Sequence, residues 1–113
     1  MLSRVPDRSV ARTGPLAGPP VNVGPVIRKR VLISGQVQGV CFRDSCRRLA
    51  LQHGVAGWVR NLPDGRVEAV LEGPPEEVHR LVGWAQQGPS SATVTSVSVR
   101  EERPEGLATF VIK

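Results

Sequence analysis

Two segments with the period of an amphipathic helix lie between stretches of strand character. This alternation constrains the fold more than any other feature of the chain. In the first segment Phe42, Cys46, Leu49, Ala50 and His53 recur at helical spacing, and Gly54 supplies a stop. In the second, Val78, Leu81, Val82 and Ala85 follow the i, i+3, i+4, i+7 pattern. It opens on Gly73-Pro74-Pro75-Glu76-Glu77, with proline and acids suited to a first helical turn, and closes at Gly88-Pro89.

The segments around the helices read as strands. Residues 29–35, Lys-Arg-Val-Leu-Ile-Ser-Gly, form the first. Val55 to Asn61 is β-branched and aromatic, with Val55, Gly57, Val59 and Asn61 sharing one parity. Leu62-Pro63-Asp64-Gly65 is a turn signal, because proline sets one dihedral and glycine permits positive φ. Val67, Ala69 and Leu71 then alternate with Arg66, Glu68 and Glu72, which predicts a third strand with one buried face and a hairpin with the second. A fourth strand is expected at about residues 93–101, where the out-of-phase Val94 marks a site for a β-bulge. After the turn Pro104-Glu105-Gly106, Leu107 to Lys113 forms a short last strand with Phe110 and Ile112 toward the core. The order β-α-β-β-α-β predicts a ferredoxin-like α+β sandwich, an antiparallel sheet with two helices on one face and a short extra C-terminal strand.

Residues 1–28 do not fit this scheme. They hold Pro6, Pro15, Pro19, Pro20 and Pro25 with Gly14, Gly18 and Gly24, and no aromatic residue, so they read as a flexible tail before a domain at 29–113. The spacing of Arg4, Arg8 and Arg12 is faintly that of an organelle transit peptide, but the prolines and glycines oppose it; a misassigned start is a further reading. The chain has a formal charge of +5 and a sequence pI near 10.6. The tail, with four arginines against one aspartate, holds +3 of that charge, and the domain, with eleven basic against nine acidic residues, holds +2. The domain is therefore only mildly basic, and the whole-chain pI overstates the case for nucleic acid. Cys41 and Cys46 are five positions apart, form no C-x-x-C motif and read as free thiols in a reducing compartment, hence a cytoplasmic protein. No stretch approaches the ~20 apolar residues of a membrane span.

Between the first strand and first helix runs Gly35-Gln36-Val37-Gln38-Gly39-Val40-Cys41-Phe42-Arg43. A strand–glycine loop–helix junction leaves backbone N–H groups unpaired at the positive end of the helix dipole, which suits an anion. Arg43, in the first turn, adds a planar guanidinium matched to phosphate oxygens. The plain alternative is a tight turn with Arg43 solvated. Asn61 ends the strand after that helix and can lie near the loop; the alternative is a hairpin-entry residue bonding its own backbone before Pro63.

Three motifs together, Gly35-x-Val37-Gln38-Gly39-Val40-x-Phe42-Arg43, Gly57-Trp58-Val59-x-Asn61 and Asp64-Gly65-x-Val67-Glu68, resemble the acylphosphatase family across the whole domain. The resemblance implies hydrolysis of a carboxylic–phosphoric anhydride to carboxylate and inorganic phosphate, with no metal and no cofactor. It implies that Arg43 binds the phosphate, that Asn61 orients the water, and that the backbone of Gln38, Gly39, Val40, Cys41 and Phe42 forms the phosphate loop. The partners implied are a small-molecule acyl phosphate and water, with no nucleic acid and no membrane, and a monomer is expected.

Other residues carry less. Cys41 has the setting of an activated nucleophile, but a phosphocysteine route needs a longer loop and an acid for the leaving group. Cys46 and His53 read as core, His79 has no assigned role, and Trp58 and Trp84 read as packing residues. The two histidines and two cysteines make no metal-ligand spacing. A rival is a non-catalytic module of the same fold that binds RNA or a phosphorylated small ligand. RNA recognition would call for aromatics on the third strand, whereas Arg66 to Glu72 has none and carries two glutamates. A third reading is the acylphosphatase-like domain that begins a carbamoyl-transfer maturation protein. With a single domain and no zinc-finger cysteines, the chain is not expected to be the whole of such a protein.

Overall fold

The computed structural model describes residues 24–113. The expected transit-like arginines and most of the expected tail lie outside the described residues. The elements are β1 (Ile27–Gln36), α1 (Phe42–Gln52), β2 (Ala56–Asn61), β3 (Val67–Gly73), α2 (Pro75–Ala85), β4 (Thr93–Glu102) and β5 (Phe110–Ile112). The sheet order is β4-β1-β3-β2-β5. The four long strands are antiparallel neighbours, whereas β5 joins the edge of β2 in parallel, pairing Gly57 with Phe110 and Val59 with Ile112. The sheet is thus mixed at one edge. Among the described residues no helix is long and apolar enough to cross a membrane.

Both helices cover one face. Val31 and Ile33 from β1, Val59 from β2, Val67, Ala69 and Leu71 from β3, and Phe110 from β5 meet Phe42, Cys46 and Ala50 of α1 and Val78, Leu81 and Ala85 of α2 in one buried cluster. Trp84 leans on Phe42 with ring centroids 5.1 Å apart. Gly57 belongs to this arrangement by necessity. A Cβ there would lie 1.8 Å from the Val70 carbonyl oxygen, and its φ of 141° is open to glycine.

Several expectations need correcting. The first strand starts at Ile27, so Arg28, counted above with the tail, is a buried member of β1. All seven residues of β3 are buried, not one face of it. The uncovered face of this central strand is roofed by long side chains from its neighbours. Glu72 there accepts N–H bonds from Glu105, Gly106 and Leu107, each at 2.8 Å, and pairs with Arg28 at 3.2 Å. Glu68 is gripped by Arg30 and Arg60, both at 2.7 Å. Burial opposes the Glu72 charge, but the three backbone donors and Arg28 outweigh it and hold its carboxyl below the usual range. Glu68 is likewise lowered by Arg60 and Arg30 against its burial. Trp58 lies on this face beneath Arg30, Arg60 and Lys113, the last with its Nζ 4.4 Å from the ring centroid.

The last strand is three residues long, not seven, because residues 103–109 carry the chain from the β4 edge to the opposite edge of the sheet, anchored on Glu72. Phe110 is in the core, but Ile112 is 41% exposed. His53 is not a core residue either. It caps the end of α1 and places Nδ1 3.0 Å from Glu77 of α2. Val94 does mark an irregularity: the β1–β4 register shifts between Ser34 and Gly35, skipping Thr95.

Candidate active site

The loop between β1 and α1 begins just past that register shift, after Gln36. Gly35 has φ 127°, and a Cβ would meet the Thr93 carbonyl oxygen at 2.1 Å. Glycine therefore lets β1 run against β4 up to the point where the chain leaves the sheet. Gly39 (φ 75°) and Cys41 (φ 65°) are also left-handed. Cys41 is the N-cap of α1, and left-handed backbone at a residue with a Cβ costs about 1–2 kcal/mol. A left-handed residue followed at once by helical Phe42 makes successive N–H groups converge, a backbone nest suited to an anion. Among the described residues no side chain caps this helix end, which leaves its first N–H groups open.

Arg43 sits in the first turn, half-buried, and makes no ion pair with an acidic side chain among the described residues. By contrast Arg28, Arg30, Arg48, Arg60 and Arg66 are all neutralised by carboxylates. Asp44 beside it is engaged with Arg48 at 2.9 Å. Gly39, Cys41, Phe42, Arg43, Asp44 and Ile112 border a cavity of about 170 Å³. A larger cavity of about 540 Å³ lies at the other end of the sheet, by Val26, Val55 and Leu107, and touches none of the expected site residues.

Asn61 ends β2 opposite Val67, which is in turn opposite Ile33 near the end of β1. It is therefore at the loop end of the sheet and shares parity with the buried Val59 on the helix-covered face. Its Oδ1 is buried and has no hydrogen-bond partner among the described residues. An acceptor buried without a donor is costly, and such an atom is explained by a water or ligand that supplies one. Asn61 does not border the 170 Å³ cavity, and neither do Gln38 and Val40.

Gln38 links the two halves. Its Nε2 donates to the carbonyl oxygens of Leu62 (2.8 Å) and Arg66 (3.0 Å), both in the turn after Asn61. The sequence offered Gln38 only as loop backbone; its side chain is a strut from the loop to the β2–β3 turn. On the other flank, Ser91 Oγ donates to the Val40 carbonyl at 2.7 Å, a contact no motif signalled. Cys46, deep on α1, has its thiol pushed up to about 12 by burial. Among the described residues no group of three histidine, cysteine or acidic side chains is placed to hold a metal ion.

Comparison with known proteins identifies a family. A family model described as Acylphosphatase matches residues 29–112. An acylphosphatase of Gloeobacter violaceus is 56% identical over 86 residues, covering 76% of this chain and 92% of that protein. One of Thermococcus kodakarensis is 58% identical over 86 residues, covering 76% and 94%. The crystal structure of acylphosphatase from Bacillus subtilis superposes with a TM-score of 0.74 at 39% identity, covering 77% of this chain and 98% of that one. The chain belongs to the acylphosphatase family, hydrolases of acyl phosphates.

Proposed function

We propose that the loop and Arg43 bind the phosphoryl group of an acyl phosphate and that Asn61 holds the attacking water, with no metal or cofactor. One observation carries this reading: at an open helix N-terminus lies a cation that has no acidic partner among the described residues, tied through Gln38 to the turn beside a buried amide oxygen that has no partner among them either. The amides of Gln38 to Phe42 and the Arg43 guanidinium would hold the equatorial oxygens, where charge spreads in the transition state. Asn61 Oδ1 accepts a hydrogen bond from water, which turns a lone pair of that water toward phosphorus. Water oxygen bonds to phosphorus as the bond to the acyl oxygen breaks, and the electron pair leaves on a carboxylate.

That leaving group has a pKa near ~4 and needs no general acid. A neutral amide is a poor base, so the water proton goes to a phosphate oxygen of the substrate. Cys41 contributes its N–H, not its thiol. The protein acts as a monomer on a small molecule in the cytoplasm, with neither nucleic acid nor membrane as partner, and the catalytic unit is the domain at 29–113.

The test is phosphate release from an aryl acyl phosphate in the presence of a chelator. The reading expects turnover that the chelator does not change. Turnover that vanishes with chelator and returns with a divalent cation would overturn the metal-free mechanism.

A further inference from the structure

We infer that Ser91 is a positioning residue for the phosphate loop: it aims the Cys41 N–H by holding the Val40 carbonyl. The inference rests on the reading of the loop as a phosphate cradle.

The carbonyl of Val40 and the N–H of Cys41 belong to one planar trans amide and point in opposite directions. Whatever fixes the carbonyl fixes the N–H. Ser91 Oγ lies 2.7 Å from the Val40 oxygen, 51 residues away in sequence. Among the described residues no backbone carbonyl accepts from the Cys41 N–H. The next peptide is fixed as well, since the Cys41 carbonyl accepts from the Ser45 N–H at 3.0 Å. The left-handed Cys41 thus sits between two pinned carbonyls. Such strained backbone persists only where its surroundings over-determine it.

The delivery of Ser91 is built into the end of α2. Gly88, at φ 69°, closes that helix with its N–H on the Trp84 carbonyl at 2.8 Å. A Cβ at Gly88 would stand 2.6 Å from the Phe42 ring, so glycine allows the segment to lie directly on the first residue of α1. A tight turn follows, with the Ala92 N–H on the Pro89 carbonyl at 2.9 Å, and Ser91 is inside it. The contact to Val40 is therefore presented by a packed segment, not by a free side chain.

Ser91 is exposed, so its loss has little to do with the core. The bond to Val40 is itself exposed, so water can replace the hydroxyl there and the stability cost stays at the low end for a hydrogen bond, about 0.5 kcal/mol. A change in phosphate binding without a change in melting is then the signature of positioning. The experiment titrates the full-length parent, Ser91→Ala and Ser91→Thr with inorganic phosphate, following the ¹⁵N–¹H resonance of Cys41, and records melting and kcat/KM beside it. Ser91→Ala is expected to weaken phosphate binding and lower kcat/KM by about two- to tenfold, the worth of one net hydrogen bond. Its Cys41 amide should shift less at saturation, with melting unchanged, and Ser91→Thr, which keeps the hydroxyl, should restore all three. If the parent binds phosphate and Ser91→Ala binds it equally with the same Cys41 shift, this inference is overturned and the cradle stands. If the parent binds none, the cradle reading falls and this inference with it.

Discussion

The Gln38 strut gives the most discriminating mutation, Gln38→Met, which keeps side-chain length and removes the donor. Its magnitude follows from what the strut leaves behind. Leu62 O also accepts from the Gly65 N–H at 3.1 Å, and Arg66 O from the Leu62 N–H at 2.8 Å. Neither carbonyl is orphaned, so the loss is the net worth of two hydrogen bonds, about 1–3 kcal/mol, with no further cost for stranding a buried acceptor. The kinetic effect should be larger. The strut spans the loop proposed to hold the phosphoryl group and the turn that follows Asn61, and a misplacement on the order of 1 Å can cost about 10²-fold in rate. Urea unfolding measures the first quantity. Steady-state kinetics on an aryl acyl phosphate, with inorganic phosphate as a competing ligand, measures the second. We expect a kcat that falls far more than phosphate affinity. A variant that loses stability as stated yet keeps the parent kcat would refute the idea that the strut sets the geometry of attack.

Three further outcomes are expected. Gly39→Ala should cost about 1–2 kcal/mol, because only its φ is strained and nothing lies within 4 Å of a Cβ; Gly35→Ala, whose Cβ overlaps the Thr93 carbonyl, should cost ~3 kcal/mol or more, and equal melting of the two would contradict the register-shift account. The folded-state carboxyls of Glu68, Glu72 and Glu102 lie below their unfolded values, Glu102 at about 2 through its hydrogen bonds to Arg30 and Arg28. Their contribution is therefore present above about pH 4.5 and lost as pH falls toward 2, and an acid unfolding curve that Glu72→Gln leaves unchanged in shape would argue against it. A thiol reagent should label exposed Cys41 in the native protein and buried Cys46 only on unfolding, while Cys41→Ala keeps turnover; abolished turnover in that variant would revive the thiol as nucleophile.

What could be read from the sequence was what is encoded locally. The helix starts at Phe42 and Pro75, the β2–β3 turn and the irregularity at Val94 follow from period, proline and glycine within a few residues. The candidate site residues came from the loop–helix junction, which is also local, and from the family resemblance of the motif set. What escaped depended on partners distant in sequence. Arg28 looked like tail because its partners Glu72 and Glu102 are 44 and 74 residues away. Glu68 and Glu72 looked solvated because nothing local shows that β3 is central and roofed by its neighbours. Ile112 has the same parity as Phe110, but it borders the cavity beside the loop and stays exposed. The Gln38 and Ser91 contacts cross 24 and 51 residues, and no pattern within either segment announces them.

The central claim is a division of labour: the loop and Arg43 hold the phosphoryl group, and Asn61 holds the water. Inhibition by inorganic phosphate and kcat, measured together on Arg43→Ala and Asn61→Ala, separate the two roles. Arg43→Ala is expected to lose both phosphate affinity and rate, while Asn61→Ala should bind phosphate like the parent and turn over on the order of 10²–10³-fold more slowly. An Asn61→Ala protein that turned over at the parent rate, or that lost phosphate affinity along with its rate, would contradict it.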